Sequence, residues 1–115
     1  MATKRQVETK LRELIRRLER TDEGVTALSH ALPEPRVIVV FVYDLDEAYW
    51  TELAGGKLGT LHRGRPDRTD IRIEAGSDDL VDVLDGRTSL FSSYVGGRMK
   101  VEASFADIMR LRKLA

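Results

Sequence analysis

Residues 85–105 read Asp-Gly-Arg-Thr-Ser-Leu-Phe-Ser-Ser-Tyr-Val-Gly-Gly-Arg-Met-Lys-Val-Glu-Ala-Ser-Phe, a run that predicts helix end, short helix, strand and helix start in quick succession. Gly86 suits the position just past a helix, where positive φ is needed. Gly96 and Gly97 let the chain turn sharply before the alternating strand Met99-Lys100-Val101. Ser104 with Asp107 has the spacing of an N-cap and an acid at the third helical position.

This order resembles the closing segment of the sterol carrier protein type 2-like family of sterol- and lipid-transfer domains. The usual pattern there is Gly-Lys, a short helix ending in an aromatic and a Met-like residue, then Gly-Lys-Leu-Lys-Ile-x-Gly-Asp and a final amphipathic helix. Gly86-Arg87 matches the first pair, Tyr94-Val95 the aromatic and apolar pair, and Gly97-Arg98-Met99-Lys100-Val101 the core. Leu90 stands where the family often has Pro, and Ala103-Ser104 replaces Gly-Asp. The motif is short, apolar and poor in catalytic residue types, so it points to a fold rather than an activity.

Working outward, Val7, Leu11, Leu14, Ile15 and Leu18 recur at helical spacing over residues 4–20, with Arg and Glu elsewhere, which predicts an amphipathic helix packed on a core. Gly24 breaks it, Val25–Leu32 is a second short helical stretch, and Pro33 and Pro35 end the helical portion. Arg36–Tyr43 is β-branched and aromatic almost throughout and reads as a central strand buried on both faces. After a turn at Asp44–Glu47, Ala48–Leu53 and Lys57–Arg63 flank Gly55-Gly56 as a hairpin. Pro66-Asp67 then turns the chain into Asp70–Glu74, and the four strands are expected as a meander. Ser77 is expected to cap a helix through Leu84. The layout is an α+β domain spanning 1–115: a five-stranded, mostly antiparallel sheet covered by helices on one face, sterol-carrier-like in order.

At 115 residues one sizeable core is feasible. Lys plus Arg equals Asp plus Glu at 19 each, so the whole chain carries no electrostatic footprint for nucleic acid. The terminal segments are nevertheless basic, with seven Lys/Arg against three Asp/Glu in 1–20 and five against two in 97–115. There is no cysteine, which excludes disulfides and thiolate chemistry and is compatible with an expected cytoplasmic location. No apolar run is long enough to span a bilayer.

Asp44, Asp46 and Glu47 read as a solvated hairpin turn, since a calcium loop needs more oxygen ligands and a turn glycine. Asp78 and Asp79 suit the first turn of a helix. His30 and His62 lack the partners of a metal set, and Ser89, Ser92 and Ser93 lack a nucleophile-elbow context or a base, leaving capping and turn roles. Neither a catalytic residue nor a metal or cofactor is expected.

The basic residues Lys4, Arg5, Lys10, Arg12, Arg16, Arg17 and Arg20 form either an ordinary solvated face or a dock for an anionic membrane surface or an acidic protein. The apolar residues Leu90, Phe91, Tyr94, Val95 and Met99, with Val101, Phe105, Ile108 and Met109, are core packing on composition alone. The resemblance implies instead a tunnel between sheet and last helices that takes a fatty acyl, sterol-like or isoprenoid ligand. Tyr94 or Trp50 would then be a polar handle at its mouth, and the final helix a lid. The alternative is an interaction or accessory module with the same fold and no open cavity.

Overall fold

The computed structural model describes residues 1–20, 32 and 34–112. Ten elements follow one another there. They are α1 (Lys4–Arg20), β1 (Arg36–Val42), β2 (Glu47–Ala54), β3 (Lys57–Leu58), β4 (His62–Arg63), β5 (Ile71–Ala75), α2 (Ser77–Leu84), α3 (Leu90–Val95), β6 (Met99–Glu102) and α4 (Phe105–Arg112). The helical stretch expected over 25–32 lies outside the described residues except for Leu32, which is buried.

The sheet runs β3-β2-β1-β5-β6, and β4 also pairs with β2. β3 and β4 are thus two pieces of the one edge strand expected over 57–63, interrupted where Gly59 N–H turns in to Glu52 O at 2.8 Å. All pairings are antiparallel except β1 with β5, where Ile38, Val40 and Val42 lie beside Ile71, Ile73 and Ala75. The expected four-strand meander is therefore corrected. After β4 the chain passes Gly64, at φ 97°, and re-enters the sheet on the far side of β1. Turn signals announce that a chain reverses, but not beside which strand it lands.

The helices share one face of this sheet. Val7 and Leu11 of α1 and Leu80 and Leu84 of α2 form one buried cluster with Val42, Tyr49, Ala75 and Met99. A second, smaller cluster joins Leu32, Leu53 and Ile71, with Val101 and Ala103 packed against it. The opposite face buries Val37, Val39 and Ala48 beneath the loop residues Arg65, Pro66 and Thr69. Central strand β1 is thus covered on both sides, as its uninterrupted apolar run requires.

α2 starts differently from expectation. Ser77 is its first residue, not its cap, and the preceding Gly76 has no side chain to cap with. Asp44, in the turn after β1, fills that role from 33 residues away. Its carboxylate accepts from Ser77 N–H at 2.8 Å and from the Ser77 hydroxyl at 2.6 Å. The Ser77 hydrogen bonds hold the Asp44 carboxyl below its ordinary range. The turn is a structural clasp, where the sequence alone pointed to solvated acids.

Candidate functional site

α3 and α4 are set in place by their own caps. Ser89 Oγ accepts from Ser92 N–H at 3.0 Å, so this serine caps α3. Gly97, at φ 77°, turns the chain into β6, and Ser104 Oγ accepts from Asp107 N–H at 3.1 Å to start α4. Between the two helices and β6 lies a cleft lined by Leu90, Phe91, Tyr94, Val101 and Ile108. Its enclosed volume is about 10 Å³, space for roughly one water.

The cleft falls at a seam in the core. Leu90 packs on the larger cluster and Val101 on the smaller, while Ile73 touches both.

Five of the ten residues expected around a ligand converge here. Met99 is instead 3% exposed within the larger cluster. Trp50 lies on the helix-free face of the sheet, stacked on His62 with ring centroids 4.3 Å apart, in a separate groove with Arg36, Glu52, Pro66 and Arg68. It cannot be a handle at the mouth of the α3–α4 cleft. Val95, Phe105 and Met109 point outward, at 67%, 78% and 36% exposure.

Polar groups at the cleft are few. Tyr94 carries the hydroxyl among its lining residues, and Ser93, fully buried next to it in sequence, has a hydroxyl without a hydrogen-bond partner among the described residues. The Arg112 guanidinium lies 5.7 Å from the centre of the Phe91 ring, a cation–π distance, and so covers one wall from outside.

The base of α4 is anchored by a contact that the sequence did not announce. Asp107 is 4% exposed. It accepts from Arg36 Nε at 2.9 Å and Nη2 at 3.2 Å, and from Arg110 Nη1 at 3.0 Å. The Arg36 hydrogen bond, against the opposing effect of burial, holds the Asp107 carboxyl below its usual range and raises Arg36 further. The partners are 71 positions apart and neither has a local signature. The expected lid is therefore pinned at its first turn.

Four of the seven cations of α1 are engaged. Lys4 pairs with Glu47 at 3.4 Å, Lys10 with Asp85 at 2.5 Å, and Glu8 takes both Arg12 and Arg63. Arg17 donates to Leu84 O at 3.5 Å. These contacts bind α1 to the body of the fold. Among the described residues no three His, Cys, Asp or Glu cluster to hold a metal ion, and no helix is long and apolar enough to cross a membrane.

No family model matches the chain, and no curated protein does. Solved structures do match it. The crystal structure of sterol carrier protein 2 aligns with a TM-score of 0.68 at 17% identity, over 92% of this chain and 90% of that one. Sterol carrier protein 2-like 2 from Aedes aegypti gives 0.67 at 13%, over 95% of each chain. UbiJ-SCP2, a ubiquinone synthesis protein, gives 0.66 at 17%, over 99% and 92%. The chain also matches sec-alkylsulfatase Pisa1 from Pseudomonas sp. at 0.58 and 16% identity, but spans only 14% of that enzyme's length. At these identities the likeness is one of architecture, and the chain has the sterol carrier protein 2 fold over nearly its whole length.

Proposed function

We propose that this protein is a non-catalytic carrier that holds one elongated apolar ligand, of fatty acyl, sterol-like or isoprenoid type, in the cleft between α3, β6 and α4. The observation that carries this reading is the convergence of Leu90, Phe91, Tyr94, Val101 and Ile108 at the seam between two core clusters. The fold supports it, since one structural neighbour, SCP2L2 of Aedes aegypti, has been solved palmitated.

The closed state is what energetics demands of an empty carrier. An unfilled hole costs roughly 24 cal/mol per Å³, so a ligand-sized void of about 300 Å³ would cost on the order of 7 kcal/mol, much of a small domain's stability. Burying about ten methylenes at roughly 0.8 kcal/mol each offsets that cost. The cleft opens when a ligand is there to fill it. With Asp107 tied to Arg36, the opening movement is a rotation of α4 about this anchor that moves Ile108 within the cleft.

The second reading, an interaction module that kept the fold without a cavity, draws on the same tight cleft and on the outward-facing Phe105 and Met109. Native mass spectrometry of freshly purified protein, followed by organic extraction, separates the two. A stoichiometric adduct of a few hundred daltons that extracts as a lipid, and that is lost in Ile108→Asp, supports the carrier. A bare mass that stays bare after incubation with palmitate, a sterol or a polyprenol supports the module.

A further inference from the structure

We propose that the outer face of α4 docks on an anionic lipid bilayer. On the helix, Phe105, Met109 and Arg112 follow at i, i+4 and i+7, which places two exposed apolar side chains and one exposed cation on a single stripe. Val95, at the end of α3, also faces out, so both helices that wall the cleft present apolar side chains to the surroundings. Three of the five exposed large apolar residues among those described thus lie on these two helices.

Within residues 97–112 the unpaired charge is positive, and the nearby exposed acid Glu34 lies 3.9 Å from Arg36 at the base of α4. Of the two acids between residues 97 and 112, Asp107 is buried and bound by Arg36 and Arg110, and Glu102 pairs with Lys100. Arg98 and Arg112 are exposed and make no ion pair among the described residues, though the Arg112 guanidinium also rests over the Phe91 ring. Exposed apolar side chains bordered by unpaired cations are what an interfacial helix offers to anionic headgroups. A stable protein partner needs about 800 Å² of this chain's surface, more than a stripe of two large apolar residues supplies, whereas a bilayer needs only a few inserted side chains.

Basic α1 lacks this combination. Its apolar residues are turned inward, and Lys4, Lys10 and Arg12 are tied to carboxylates, while Arg5, Arg16 and Arg20 are exposed with no apolar side chain exposed beside them on the helix.

The docking claim stands apart from the identity or existence of a ligand. Its test is co-sedimentation of the full chain with vesicles of phosphatidylcholine and phosphatidylserine at 3:1, and with pure phosphatidylcholine. Binding is expected only to the anionic vesicles. It should fall at least tenfold in the double variant Phe105→Ser/Met109→Ser and about five-fold for each of Arg98→Gln and Arg112→Gln. The triple variant Arg5→Gln/Arg16→Gln/Arg20→Gln should stay within two-fold of the parent. Absence of binding to anionic vesicles, indifference to the α4 changes, or loss in the α1 variant would each overturn the proposal. Native mass spectrometry of the parent protein with added palmitate reads the carrier separately, so parent that binds anionic vesicles without an adduct keeps the docking face and discards the carrier.

Discussion

The first and last described helices are both basic, yet they are held to the fold in different ways. α1 buries its apolar stripe, with Val7 at 0% and Leu11 at 7% exposure, and ties Lys4, Lys10 and Arg12 to carboxylates around it. α4 places Ile108 against a seam, leaves Phe105 and Met109 outside, and is held by one buried ion pair at its base. Charge count alone does not separate them. The direction of the apolar side chains and the engagement of the cations do: α1 is packed into the core, and under the proposed carrier reading α4 is the element that moves.

The largest expected effect that sharpens this contrast is on the α1 side. Leu11→Ala removes buried methylenes from the larger cluster and should destabilise the fold by about 3–5 kcal/mol in urea unfolding. A loss under about 1 kcal/mol would show that α1 is not the packed element described here.

Next comes the anchor of α4. Asp107→Ala strands the largely buried Arg36 guanidinium and should cost about 2–3 kcal/mol. The pH dependence has a defined sign. Asp107 is held below its unfolded value of about 3.9, so the pair's contribution is complete above that pH and is lost as pH falls through the depressed folded value. Asp107→Asn should therefore flatten part of the acid limb of the stability curve, while a limb that keeps its slope would locate the acid sensitivity elsewhere.

Asp44→Ala removes the remote cap of α2 and should cost about 1 kcal/mol. Asp44→Asn, which keeps an acceptor for Ser77 N–H, should recover part of it. At the small end, Phe105→Ser should change stability by less than about 0.5 kcal/mol, because nothing buries that ring in the closed state. It should also leave retention of added palmitate intact, in contrast to Ile108→Asp.

Much of this architecture could be read from local spacing. The helix over 4–20, the buried strand at 36–42, the positive φ at Gly86, the turn at Gly96-Gly97 and the Ser104 cap are all decided by residues within a few positions of one another. What escaped was decided at long range. Parallel β5 beside β1, the Asp44 clasp on Ser77 and the Arg36–Asp107 pair join positions more than thirty residues apart through groups with no distinctive neighbours. The candidate site was legible as composition but not as orientation. The apolar run from Leu90 to Met109 contains core, cleft wall and outer face alike. A short helix such as α4 has too few turns for its periodicity to show which stripe goes inward.

Hydrogen exchange of the backbone amides, read by mass spectrometry with and without palmitate, tests the central claim most directly. If α4 swings from the seam to admit a ligand, its amides exchange through local opening well before those of α1 and β1, and palmitate slows them selectively. If α4 exchanges only together with α1 and β1, and neither palmitate, a sterol nor a polyprenol changes it, the cleft is ordinary packing and the carrier account is wrong.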